Sequence, residues 1–210
     1  MLWLIAILLL IPQQTELDPI AVAERVQGVY EQARSIRCDF RQYQISGTTG
    51  MVISESGELF LKVPGRMRWE YEEPEQKLYV CDGETVHWYL PEDRQVTVMR
   101  LAESESPQTP ILFLMGRGNL ARDFEVSEDE ATEPLYEDSY VLRLVPRSEE
   151  AFDYLVLEVL PRDFLVVRLM VVDPFGSTTE YRFSNIRPAE IDDSYFEFEI
   201  PRGVEVFEGQ

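Results

Sequence analysis

"VPGRMRWEYEEP", residues 63–74, places Met67, Trp69 and Tyr71 at alternate positions, with Arg68, Glu70 and Glu72 between them. Strand side chains point to opposite faces with a period of two. The stretch therefore reads as a β-strand with a large, soft, aromatic face inward and charge outward. The same alternation starts at Ile36 and runs through segments near 36–46, 50–62, 66–72, 76–82, 85–90 and 94–100. It resumes near 138–145, 154–160, 164–172, 177–186 and 195–200. Connectors such as Asp82-Gly83, Pro91-Glu92-Asp93 and Asp173-Pro174-Phe175-Gly176 suit hairpins. The expected sheet is mostly antiparallel and free of parallel crossovers.

Helices are the minority. Asp18 and Pro19 give an N-cap and first-turn signal, after which Ile20, Ala23, Val26, Tyr30 and Ala33 recur on one stripe. Between the two runs of strands, "SPQTPILFLMGRGNLARDF" (106–124) reads as a short helix entered at Thr109-Pro110 and stopped at Gly116, with a second turn after it. Ile111, Leu112, Phe113, Leu114 and Met115 follow one another, so that helix is buried or faces apolar surface. Segments 154–160 and 164–172 are apolar on both faces. Two readings stay open for them, a strand sandwiched between sheet and helix or the wall of a cavity for an apolar ligand.

Composition excludes several function classes. Of 210 residues, 45% are hydrophobic and 28% charged, which suits a globular chain with a sizeable core. Nineteen Lys and Arg stand against 39 Asp and Glu, a net charge of -20 that repels phosphate backbones, so no nucleic-acid partner is expected. Leu2 to Ile11 is an apolar run too short to span a bilayer, followed by Pro12 and two glutamines. It reads as an export signal over residues 1–15, leaving 16–210 as one soluble exported domain, with no Cys after the run to carry a lipid. Cys38 and Cys81, the two cysteines, suit either a bridge or buried thiols in an oxidising compartment.

Catalytic patterns are weak. His87 is the single histidine, and no G-x-S-x-G elbow supplies a nucleophile. "GRGNLA" at 116–121 follows no strand of a βαβ unit, so it is not a dinucleotide loop. The acidic run 127–139 lacks EF-hand spacing and reads as a solvated loop. No enzyme, metal or cofactor is expected.

The ordered succession "FRQ" (40–42), "SGELFLKVPGRMRWEYEEP" (56–74), "VCDGETVHWYLPEDRQVTV" (80–98), "TPILFLM" (109–115) and "FEFEIPRGVEV" (196–206) resembles the periplasmic outer-membrane lipoprotein carrier family, LolA. The resemblance covers nearly the whole chain beyond the signal segment. It implies an unclosed antiparallel half-barrel whose concave face is lidded by helices and takes up lipoprotein acyl chains. Cargo would come from an inner-membrane ABC-type exporter and pass to an outer-membrane acceptor, with the carrier itself a monomer. On this picture the cavity wall comprises Phe40, Leu59, Leu61, Met67, Trp69 and Tyr71, together with Trp88, Met170, Tyr181 and Phe183. Ile111, Leu112, Phe113, Leu114 and Met115 form the lid. One departure stands out. The family carries a basic residue before the strand-edge proline, where this chain has Val63-Pro64, and Arg66 is the candidate replacement as lid latch. Two alternatives stay open, a lipid- or lipoprotein-sensing regulatory module and a carrier of a different lipid.

Overall fold

The computed structural model describes residues 17–101, 111 and 118–209. The export signal and lid residues Leu112 to Met115 lie outside these. Helix α1 (Pro19–Ala33) starts where the Asp-Pro pair places it, with Asp18 at the N-cap and Pro19 in the first turn. It ends at Arg34, whose φ of 61° breaks the helix before the first strand. The buried stripe is Val22, Ala23, Val26, Gln27 and Tyr30. Ile20, expected on it, is 45% exposed, because it sits in the first turn at the stripe's edge.

The strands of the first run are β1 (Ser35–Ile45), β2 (Val52–Lys62), β3 (Arg66–Glu73), β4 (Lys77–Cys81), β5 (Thr85–Leu90) and β6 (Gln95–Arg100). A short helix, α2 (Leu120–Asp123), leads into the second run: β7 (Phe124–Glu128), β8 (Tyr140–Pro146), β9 (Tyr154–Val159), β10 (Val166–Val172) and β11 (Thr178–Pro188). The last strand is β12 (Glu205–Glu208). All twelve form one open, curled sheet in the order β12-β6-β5-β4-β3-β2-β1-β11-β10-β9-β8-β7. The expected mainly β half-barrel is therefore correct. Pairing of β1 with β11, Phe40 opposite Phe183 and Gln42 opposite Tyr181, joins the two meanders into one concave surface.

Three features depart from expectation. β7 is a strand that the alternation did not reveal. Residues 195–200 are not one. There the chain makes a 3-10 turn over Asp193–Phe196 and continues as an irregular strap. The strap crosses the convex side of β2 to β5, with the Tyr195 ring 5.0 Å from that of Phe60 and the Phe198 ring 5.3 Å from that of His87. At Pro201–Val204 it turns through Gly203, whose φ is +80°. β12 then pairs with β6 in parallel, a crossover that hairpin-length connectors did not foretell. The strap gives the convex face a second apolar layer. Phe60 and Val80, which alternate with inward residues, are buried, as is Phe196 of the strap.

The other half of the convex face is covered by the acidic run 127–139. Glu158 on β9 is fully buried, and its carboxylate accepts hydrogen bonds from the Leu135 and Tyr136 backbone N–H groups (2.7 and 3.0 Å) and the Ser139 hydroxyl (2.7 Å). Arg168 lies 3.4 Å from Glu158 and 3.2 Å from Glu180, and donates to the Glu133 carbonyl at 2.9 Å. Burying three charges costs heavily unless they are paired. Here the pairing pins a loop that composition alone reads as solvated.

Candidate functional site

The concave face follows from strand parity. Phe40 on β1, Leu59 and Leu61 on β2, and Met67, Trp69 and Tyr71 on β3 all point into the main core and are at most 3% exposed. Tyr181 and Phe183 on β11 join them, and Trp88 on β5 packs against the same cluster while partly exposed. The rings interlock: Phe40 meets both Trp69 and Tyr71 edge-on at 4.9 Å, and Trp69 lies 4.9 Å from Tyr181. Met170 is the exception among the expected wall residues. It shares the face of Arg168, while Leu169 and Val171 point inward, so Met170 lies on the convex side.

Gly57 makes the close packing possible. A Cβ there would stand 1.9 Å from the Glu70 carbonyl oxygen, on the neighbouring strand, at a register shift between Ser56 and Gly57. With no side chain at that point, the rings of Phe40 and Tyr71, whose Cα atoms flank Gly57, come together over it.

Helix α1 closes part of the concavity. Val22, Ala23, Val26 and Tyr30 belong to the same core as Met67 and Trp69, together with Leu101, Ile111, Leu120 and Phe124. Ile111, expected in the lid, is 1% exposed and belongs to this core. Two polar ties hold α1 down. The Tyr30 hydroxyl accepts a hydrogen bond from the Val166 backbone N–H at 3.1 Å, and the Gln27 side-chain oxygen accepts one from the Leu120 N–H at 3.3 Å. Burial pushes the Tyr30 phenol well above its usual range, so it remains protonated. Both cysteines are buried on this face and neither is in a disulfide. They lie on β1 and β4, three strand spacings apart, about 14 Å along the sheet and outside disulfide reach. Burial also pushes the Cys38 thiol up, leaving it unreactive.

Arg66 alternates with Met67 and so points away from the concavity. Its guanidinium donates to the Asp82 carbonyl at 3.1 Å and lies 3.3 Å from the Asp193 carboxylate. Val63, where the family resemblance calls for a basic residue, packs against the core as a hydrophobe. A groove of about 770 Å³ lies elsewhere, between the 127–139 loop and the outward side chains of Asp39, Arg41, Glu58 and Arg182. Its charged walls are unsuited to acyl chains.

Sequence reasoning missed the polar end of the concave face. Gln42 lies among the aromatic residues, 1% exposed, its side-chain oxygen accepting from the Tyr71 hydroxyl at 2.7 Å. The signal was present, since Gln42 continues the inward parity of Cys38 and Phe40.

A curled open sheet with an aromatic and aliphatic concave face under a packed helix is the arrangement that the motif order implied. The family model described as outer membrane lipoprotein carrier protein LolA matches residues 31–199. The chain belongs to the LolA family. It is 34% identical over 185 residues to the outer-membrane lipoprotein carrier protein of Methylococcus capsulatus, covering 88% of this chain and 86% of that protein. It is 30% identical over 188 residues to the protein of the same name from Azotobacter vinelandii, covering 88% and 87%. Among solved structures, an uncharacterized conserved protein of Thermus thermophilus shares the fold with a TM-score of 0.55 at 15% identity, covering 90% of this chain and 98% of that one. In LolA terms, the G-x-L element supplies Gly57 and Leu59, and the R-W element supplies Trp69.

Proposed function

We propose that this LolA-family chain carries the acyl chains of lipoproteins through the periplasm, sheltering them between the concave face of the curled sheet and α1. The observation that carries the reading is the largely apolar concave face, from Leu61 and Met67 through Trp69 and Tyr71 to Phe183, covered by a largely apolar helix stripe rather than by a second sheet. Such a cover can lift. Each buried CH₂ is worth about 0.8 kcal/mol, so a chain of about 16 carbons gains about 12 kcal/mol on leaving water. Exposing Val22, Val26 and Tyr30 costs roughly 5–9 kcal/mol at about 1.5–3 kcal/mol per large side chain. Cargo can therefore displace the helix, and the cost of displacing it holds the affinity below that of an open cavity. That balance lets the cargo move on to an acceptor without an energy source.

The cargo is an acylated lipoprotein, delivered by an inner-membrane ABC-type exporter and received at the outer membrane. The chain is a carrier rather than a catalyst. Met67, whose thioether adapts to differing chain shapes, and the aromatic wall form the acyl site. The test is to mix the purified protein with a synthetic dipalmitoyl lipopeptide and weigh the soluble species by native mass spectrometry. One lipopeptide per chain is expected. Lipopeptide that stays aggregated while the protein remains empty overturns the reading.

A further inference from the structure

Three buried polar groups on the concave face are out of contact with water and make no well-formed hydrogen bond: the Gln42 side-chain nitrogen, the Trp69 indole N–H and the Tyr181 hydroxyl, the last standing beside the Tyr71 hydroxyl. Their residues are 1%, 0% and 0% exposed. Buried polar groups are paired in nearly all native proteins, and an unpaired one costs stability, so three together call for an explanation.

They form one cluster. Gln42 stands opposite Tyr181 across β1 and β11, and the Trp69 ring lies 4.9 Å from that of Tyr181. Donors predominate in the cluster: an indole N–H and an amide N–H₂ only donate, the Gln42 oxygen accepts from the Tyr71 hydroxyl, and the Tyr181 hydroxyl can donate as well as accept. Charge narrows the match further. Glu55, 7% exposed and opposite Gln42 on β2, is neutralised by Lys77 at 2.5 Å, so the cluster offers no net positive charge to a carboxylate. A neutral oxygen acceptor fits.

The cluster also has a polarity along the barrel. Beyond it on one side the inward residues are Leu59, Leu61, Met67, Cys81 and Val86, all apolar. On the other side the Glu55–Lys77 pair reaches the partly exposed rim. We propose that Gln42, Trp69 and Tyr181 form an acceptor-reading site for the ester carbonyl oxygens at the head of a diacylglyceryl-modified ligand, with the acyl tails running towards Met67 and the polypeptide leaving at the Lys77 rim. This rests on the carrier reading above and adds an orientation and a chemical preference to it.

The experiment compares two synthetic lipopeptides of equal chain length on the whole protein, one with two ester-linked acyl chains and one with two ether-linked alkyl chains that lack the carbonyls. The ester form is expected to bind tighter by about tenfold or more, the effect of one or two buried hydrogen bonds. In Tyr181→Phe, which removes a single oxygen, and separately in Trp69→Phe, the ester-to-ether ratio is expected to fall towards one. If the wild-type protein binds both lipopeptides equally, the carbonyl site is wrong and the carrier reading stands. If it binds neither, both fall. A ratio unchanged in the two variants also overturns the site.

Discussion

The Tyr30 hydroxyl of α1 accepts a hydrogen bond from the backbone N–H of Val166, 136 residues further along the chain, at 3.1 Å. This bond ties the helical cover directly to the end of β10. Tyr30→Phe keeps the ring and leaves a buried N–H without a partner, a loss of about 1–3 kcal/mol borne by the closed form. Thermal unfolding should come a few degrees lower, while affinity for a lipopeptide should rise by up to about tenfold for each 1.4 kcal/mol. A variant that loses stability and affinity together would show that α1 is not the cover that lifts.

Gly57→Ala forces a methyl group to within 1.9 Å of the Glu70 carbonyl, a backbone atom that cannot step aside. The two strands must separate at the register shift, and the stack of Phe40 and Tyr71 loosens with them. Stability should fall by about 2–4 kcal/mol, read as a lower urea midpoint with little change of slope.

Glu158→Ala removes the acceptor for Leu135, Tyr136 and Ser139 and takes one counter-charge from Arg168. The expected cost is about 3–5 kcal/mol, the usual consequence of leaving a buried charge short of its partner. Limited proteolysis should cut first within residues 129–139, which are held in the parent protein. Equal protease resistance in the two proteins would mean that the loop holds itself.

The C-terminal strap should loosen in acid in two steps. Burial holds the His87 imidazole below its ordinary 6.5, against a smaller opposing pull from Asp82. Its contribution is complete above pH 6.5 and is lost as pH falls through the lower folded-state value, when the ring against Phe198 must charge. Asp193 is held below its ordinary 3.8, chiefly by the hydrogen bond from Lys62 and then by Arg66. That contribution is complete above pH 3.8 and disappears as pH falls through the value below it. Amide protection of residues 193–208, taken relative to the free-peptide exchange rate at each pH, should fall first below pH 6.5 and again below 3.8, and Lys62→Ala should shrink the second step, since Arg66 remains beside Asp193.

Alternation made part of this legible, since Met67, Trp69 and Tyr71 announced an inward face, and the family resemblance added Phe40, Leu59, Leu61, Tyr181 and Phe183, which the structure places on the same face. Arg66, the candidate latch, is held outward by its strand in the structure, facing Asp82 and Asp193. Met170 misled because β10 is apolar on both faces, and only its register with β9 and β11 separates the inward Leu169 from Met170. Phe196, Phe198 and Ile200 alternate as a strand does, yet they belong to a strap, since period two cannot tell a paired segment from one laid across a sheet. Glu158 was invisible because burial of a carboxylate depends on partners that lie 19 to 23 residues away. Gln42 was readable and passed over, a polar residue in step with apolar ones.

The sheet runs from β12 at one margin to β7 at the other, and among the described residues these margins do not pair with each other. A ring of strands closed by hydrogen bonds has a girth set by its strand number and stagger. This one has a seam. Its circumference is free to widen by splaying along that seam, so guests of different bulk can be admitted without breaking any rung of the ladder.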